Sequence, residues 1–272
     1  MKYLKILSML LLLLPIEMMA QFAWYGSKGK AQVKTGLGNG TNTEGIWFSF
    51  NDNADGGQSQ IVFFSPCSAD NLPNDAHVQK YGGIKCEMIL AYGNSIYTRA
   101  GLGIPIVGET EPNVYEVGDA SKWGGISIGY KSDKGISVEL GQTPQEEAAM
   151  QYALPDYWLP ASTDETFVRI PWSSFEQPGW ARGKKLTGPE AAQQIVSINI
   201  YMGGKEGTYN FLITKIGSYD MPETPSAATG ITSSAVAIDK NAGWYTISGV
   251  QLRNQPTVRG VYIHNGQKVV VK

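Results

Sequence analysis

Apolar and polar residues alternate one for one along short segments that turn residues keep interrupting. A chain written that way folds as half-buried β-strands. Ile126, Ile128 and Tyr130 would share one face of a strand, with Ser127, Gly129 and Lys131 on the other. Val196, Ile198, Ile200 and Met202 likewise oppose Ser197, Asn199 and Tyr201. Further strands are predicted at residues 45–50, 61–64, 84–91, 136–140, 167–170 and 209–216. Turn chemistry separates them, most plainly Asn51-Asp52-Asn53-Ala54-Asp55-Gly56-Gly57. Helical patterning is confined to two short stretches, residues 145–150 and 189–194. One buried and one exposed face per strand implies an antiparallel sandwich, here an all-β jelly roll. Composition supports this: 32 glycines, 11% aromatic residues and only 17% charged residues suit strands and turns better than a helical bundle.

Residues 1–20 read as a secretory signal peptide. Lys2 and Lys5 precede an apolar run at 6–16, and Met18-Met19-Ala20 would leave Gln21 as the mature N-terminus. No cysteine follows that site, which excludes a lipoprotein anchor there. No later segment is long and apolar enough for a membrane span. The main domain is expected at 21–220, a Pro-containing linker at 221–234, and a small β domain at 235–272. In the last of these, Asn265-Gly266 signals a hairpin. In an oxidising compartment Cys67 and Cys86 either pair or stand as two separate buried thiols. The net charge of -2 provides no basic face for nucleic acid, and two histidines with two cysteines exclude a His-rich or Cys-rich metal site.

Two resemblances add to this reading. Trp244-Tyr245-Thr246-Ile247-Ser248-Gly249-Val250-Gln251-Leu252, then Arg259-Gly260-Val261-Tyr262-Ile263-His264 and Lys268-Val269-Val270-Val271, resemble the C-terminal sorting domain of type IX secretion cargo. That resemblance implies the type IX machinery as a partner and delivery to the outer cell surface or beyond. In the main domain, Asp119-Ala120-Ser121-Lys122-Trp123 leads into Gly125-Ile126-Ser127-Ile128-Gly129-Tyr130-Lys131-Ser132. Phe167-Val168-Arg169-Ile170-Pro171-Trp172-Ser173-Ser174-Phe175 and Phe211-Leu212-Ile213-Thr214-Lys215-Ile216 follow. In this order they are similar to carbohydrate-binding modules of the family 11 type, in the galactose-binding-like jelly-roll group. The resemblance implies non-catalytic binding of a polysaccharide, a β-linked glucan or related plant glycan, with no cofactor. It places Tyr152 at the family's aromatic binding strand. Thr214 stands where that family often has an aspartate, a departure that bears on its calcium site, and a structural calcium stays an open reading.

The chemistry of sugar recognition needs flat aromatics beside hydrogen-bonding groups. Trp47 and Trp172 sit inside alternating strands and are expected in the core. Tyr97, Tyr152 and Trp180 lie among turn and polar residues, where ligand contact and ordinary packing are equally open. Arg99 supplies a planar donor near Tyr97, and Gln142 and Tyr201 complete the candidate binding set. Asp52 and Asp55 offer hard oxygens for a structural calcium, against the simpler role of shaping a turn. A glycoside hydrolase would need two carboxylates flanking a bond. Glu146 and Glu147 are adjacent and would not face one centre on a helix, while Glu139 lies on a polar strand face. An adhesion or structural role on the same sandwich is the third reading.

Overall fold

The protein is described from a computed structural model, at residues 22–112, 114–225, 244–246, 251–252, 254–264 and 267–271. The expected leader with Gln21, residues 226–234 of the expected linker and the Asn265-Gly266 turn lie outside the described residues. The chain divides into two compact units between Thr224 and Pro225.

The first unit is an antiparallel β-sandwich. Its opening strands are β1 (Ala23–Tyr25), β2 (Phe48–Asn51), β3 (Gln60–Phe63), β4 (Ile84–Leu90) and β5 (Arg99–Pro105). A small hairpin follows, β6 (Glu109–Glu111) with β7 (Val114–Tyr115). Then come β8 (Gly125–Ser132), β9 (Ile136–Gly141), β10 (Asp156–Leu159), β11 (Ser162–Pro171), β12 (Ser197–Gly203) and β13 (Gly207–Ser218). One sheet runs β11-β8-β13-β4-β3, with β1 also paired to β13, and the other runs β10-β9-β12-β5-β2. Most successive strands pass between the sheets in jelly-roll fashion, while β3–β4 and β9–β10 pair within one sheet. Three helices of six or seven residues lie between strands: α1 (Asp75–Tyr81), α2 (Pro144–Ala149) and α3 (Gly188–Gln193).

Alternation decides what each sheet buries. Ile84, Cys86, Met88 and Leu90 of β4, with Ile126, Ile128 and Tyr130 of β8, face inward from the first sheet. Ala100, Leu102 and Ile104, Ile136, Val138 and Leu140, and Ile198, Ile200 and Met202 face them from the second. Trp47 and Trp172 are buried, as expected, each indole N–H donating to a backbone carbonyl, Ala31 at 2.8 Å and Ala120 at 3.1 Å. An aromatic of that size, buried with its one polar atom satisfied, adds apolar area without a desolvation penalty.

Several elements were not legible: β1, β6, β7 and β10 are short, and β5 and α1 hide their period for specific reasons. The β5 segment, Arg99-Ala100-Gly101-Leu102-Gly103-Ile104-Pro105, hides its alternation behind two glycines. Both are required by close approach: a Cβ on Gly101 would sit 2.4 Å from Phe50 Cζ, and one on Gly103 would sit 2.2 Å from Phe48 Cζ. Helix α1 is too short to show a helical period. It is held instead by its ends, with Asn74 accepting from the His77 N–H and Gly82 closing the C-terminus at φ 68°.

Of the two readings left open for Cys67 and Cys86, the structure has separate free thiols, with Cys86 buried and Cys67 half-buried. Cys86 is fully buried on the inward face of β4, while Cys67 sits on the loop before α1 in a bridge with Pro73. The Asp52 loop is shaped by protein donors. Buried Asp52 accepts from the Ser59 N–H at 3.0 Å, the Ser59 hydroxyl at 2.7 Å and the Arg99 N–H at 2.8 Å. Asp55 instead receives the Tyr97 hydroxyl. These donors tie the turn after β2 to the start of β5. Among the described residues no group of three His, Cys, Asp or Glu side chains is placed to hold a metal.

The second unit contains β14 (Trp244–Thr246), β15 (Gln251–Leu252), β16 (Gly260–His264) and β17 (Gln267–Val271), paired antiparallel in the order β15-β14-β16-β17. Trp244 stacks on His264 with centroids 4.4 Å apart and planes 8° from parallel.

His77 gives the first unit a pH dependence. Its Nδ1 lies 2.6 Å from the Phe64 carbonyl and its Nε2 accepts the Lys85 N–H at 2.9 Å. That pattern requires a neutral ring protonated on Nδ1, and burial lowers its pKa below the ordinary value of 6.5. The unfolded chain therefore binds the proton more readily, so the contribution is complete above pH 6.5 and is lost as pH falls below it. Denaturation midpoints followed from neutral to mildly acidic pH should decline for the parent protein. The His77→Gln variant should start lower and decline less over that range.

Candidate functional site

The open face of the second sheet gathers most of the expected site. Two adjoining cavities, of about 530 and 490 Å³, meet at Arg99, Glu139, Tyr152 and Leu154. The smaller is also lined by Tyr97, Asp156, Trp180 and Tyr201. Phe48, Phe50, Tyr115, Gln142, Glu147 and Asn199 line the larger. Tyr97, Arg99, Tyr152, Trp180 and Tyr201 therefore border one cavity, although they come from four separate parts of the chain.

Strand pairing arranges the floor. Opposed residues run across the sheet in the order Phe48, Gly103, Asn199, Glu139 and Asp156. The next outward row reads Phe50, Gly101, Tyr201, Ser137 and Trp158. The Phe48 and Phe50 rings lean over the two glycines, and Tyr115 stacks on Phe48 at 6.0 Å and 25°.

At the centre Arg99 donates through Nη2 to both Glu139 carboxylate oxygens at 2.8 Å. The Asn199 amide donates to Glu139 at 3.1 Å. The guanidinium carbon lies 4.4 Å from the Tyr201 ring centroid and 5.2 Å from that of Phe50. Arg99 is thus fixed by an ion pair below and aromatic faces beside it, which suits a planar delocalised cation and not a lysine. Its Nε is buried without a hydrogen-bond partner.

Three exposed aromatics rise around this centre. Tyr97 is 46% exposed, Tyr152 66% and Trp180 60%. Trp180 stands on the turn closed by the Ala181 N–H to the Pro178 carbonyl. Tyr152 stands on a turn after α2, and not on the strand implied by the family resemblance. Gln151 and Tyr152 both adopt left-handed backbone, at φ 54° and 59°. Side chains with a Cβ disfavour that region by about 1–2 kcal/mol each, a local strain of the kind that gathers at binding sites. The reversal is held by the Tyr152 N–H to the Glu147 carbonyl at 2.8 Å.

Gln142 departs from its expected role. It is 3% exposed, and its amide hydrogens face the Leu140, Gly141 and Ala191 carbonyls, so it has no free donor for a ligand hydroxyl. Its Oε1 is buried and unpartnered. Arg99 differs too: its Nη2 is committed to Glu139 rather than free to hold hydroxyls.

The carboxylates were the least legible part. Glu146 turns away to pair with Lys184, while Glu147 faces the sheet, so the adjacent pair does divide as helical geometry requires. Burial, with the Glu139 charge, raises the Glu147 pKa against the opposing pull of the Gln142 N–H and Arg99. Burial also raises the Asp156 pKa, against hydrogen bonds from Tyr201 and Ser137. Tyr201, which donates to Asp156 at 3.1 Å, is pushed up to about 12, by burial first and then by the Asp156 and Glu139 charges. Phe48 and Phe50 were passed over as aromatic strand residues. Their spacing of two was the available signal, because it put both on the face opposite to the core.

No family model matches this chain, and no curated protein matches it. Solved structures similar to it include a family 11 carbohydrate-binding module from Clostridium thermocellum, solved in complex with a β-1,3-1,4-mixed-linked tetrasaccharide. The two are 16% identical, with 66% of this chain and 91% of that one covered and a TM-score of 0.42. A family 30 carbohydrate-binding module is 9% identical over 62% of this chain and 78% of its own, TM-score 0.36. An exo-β-agarase is 10% identical over 76% of this chain and 25% of its own, TM-score 0.34.

The central ion pair makes a direct prediction. Arg99→Ala would leave the buried Glu139 without its counter-charge and should cost about 3 kcal/mol of unfolding free energy, the low end for a broken buried pair because Arg99 is partly exposed. Arg99→Met combined with Glu139→Gln should restore much of that loss in urea titrations. Equal loss in both variants would overturn the account in which an orphaned Glu139 charge causes the loss.

Proposed function

We propose that this open face binds a polysaccharide without catalysis, and that the ligand is a β-linked glucan or a related plant glycan. The observation that carries the reading is the gathering of Tyr97, Tyr152 and Trp180 around the Arg99–Glu139 pair, all three rings exposed and bordering one cavity. Sugar rings present apolar faces edged by hydroxyls. Exposed rings desolvate those faces at small rotamer cost, while fixed charged groups receive the hydroxyls. Glu139, Glu147 and Asp156 outnumber Arg99 here, which favours a neutral ligand over a uronate polymer. The leader and the C-terminal unit support an exported protein, secreted or held on the outer cell surface through a type IX route.

A glycoside hydrolase is the second reading. It is favoured by one observation: Glu139 is ion-paired with Arg99, while burial and the Glu139 charge raise the pKa of the neighbouring Glu147. Carboxyl groups whose environments push their protonation apart are the pattern of acid and base partners.

Affinity electrophoresis against a panel of soluble β-glucans, with reducing-sugar release from the same panel, separates the readings. Retarded migration without sugar release is the expected outcome; release that is lost in Glu147→Gln would replace it with the hydrolase. Trp180→Ala and Tyr152→Ala should each weaken glucan binding by about 1–3 kcal/mol with little change in melting temperature. A large drop in melting temperature with unchanged affinity would make both rings packing residues.

A further inference from the structure

Trp158 belongs to neither cavity, yet it is 63% exposed on edge strand β10. Its neighbours already anchor the strand. Leu159 is buried, and Tyr157 packs against Phe175 with centroids 6.1 Å apart. The Trp158 indole rests on Gly135, where a Cβ would come within 2.7 Å of Nε1. One ring edge or face is therefore seated on bare backbone while most of the side chain meets solvent.

Its register is the informative feature. Trp158 lies opposite Ser137, Ser137 opposite Tyr201, Tyr201 opposite Gly101, and Gly101 opposite Phe50. Phe50, Tyr201 and Trp158 thus occupy alternate strands of a single row on the same face. Neighbouring aromatics in the row are two strand spacings apart, about 9.5 Å, and the whole row spans about 19 Å. The Arg99 guanidinium fills the interval between the first two rings. Small residues, Gly101 and Ser137, occupy the positions between the rings and keep the row low.

We propose that the glycan lies across the strands, perpendicular to them, and that Trp158 is an outlying platform stacking on a sugar unit beyond the two cavities. This rests on the polysaccharide-binding reading of the face and adds to it a direction and a minimum length. A short ligand fills the cavities around Arg99, where Asp156 is the β10 residue it meets, and stops short of Trp158. A ligand of several units reaches Trp158, which explains why a large apolar ring stands unburied at a sheet edge, where natural sequences otherwise place charge.

The test is calorimetric titration of the full chain with β-1,4-linked glucose trisaccharide and hexasaccharide, for the parent protein, Trp158→Ala, Trp158→Phe and Trp180→Ala. Trp158→Ala should weaken the hexasaccharide about tenfold, the scale of one aromatic contact, and leave the trisaccharide and the melting temperature unchanged. Trp158→Phe should recover part of the loss, and Trp180→Ala should weaken both ligands. If Trp158→Ala keeps full hexasaccharide affinity while Trp180→Ala loses it, the platform is overturned and the reading of the cavities stands. A lowered melting temperature with both ligands weakened makes Trp158 a packing residue and also overturns it. A parent protein that dimerises through this face, seen as sedimentation that Trp158→Ala alone reverts with binding unchanged, assigns the ring to self-association instead. A parent protein that binds neither sugar overturns the glucan reading and the platform together.

Discussion

Burying Ile198, Ile200 and Met202 between two sheets forces Ser197, Asn199 and Tyr201 onto the opposite face of the same strand. A strand allows no other choice, because its side-chain period is two. The same requirement in β9 presents Ser137 and Glu139, and in β5 it presents Arg99, Gly101 and Gly103. The outward face is thus set by the demands of the core. A slip of one residue anywhere in β12 would bury Asn199 and Tyr201 and expose three large apolar side chains, so the core also fixes the register of the site.

Within that frame, electrostatics organises the face around one cation. Arg99 is the common neighbour of Glu139, Tyr201, Phe50 and, more weakly, Glu147 and Asp156. Its backbone N–H is also held by Asp52, so the turn after β2 and the head of β5 move as one piece. The result is a rigid centre with softer aromatics around it: Tyr97, Tyr152 and Trp180 all stand on turns or loop ends.

Sequence and structure agree most closely where burial is periodic. Strands β8, β9, β12 and β13 match their expected positions to within two residues, because each alternates large apolar with small or polar residues. Helices α2 and α3 each begin one residue earlier than expected, at prolines or glycines capped by Thr143 and Thr187. Agreement fails at β5, whose glycines erase the alternation, and at α1, which has only seven residues. In the site, the aromatic residues and Arg99, chosen because ring chemistry beside turn residues is visible in one dimension, keep accessible surface on one cavity. Gln142 does not, since its donors are captured by the Ala191 carbonyl and its own strand end, a contact made across 49 residues.

The amino-acid order by itself determined which residues could not be buried together, and so it determined the sandwich, the inward faces and the exclusion of a histidine- or cysteine-based metal centre. It also marked Tyr97, Arg99, Tyr152, Trp180 and Tyr201 as candidates, through composition and local turn chemistry. Only the tertiary structure decided that these five border one cavity, that Arg99 is tied to Glu139, and that Phe50, Tyr201 and Trp158 form one row. Those relations depend on the order β10-β9-β12-β5-β2. Periodicity says which way a side chain points, but strand order comes from long-range pairing between segments up to about a hundred residues apart, and no local pattern encodes it.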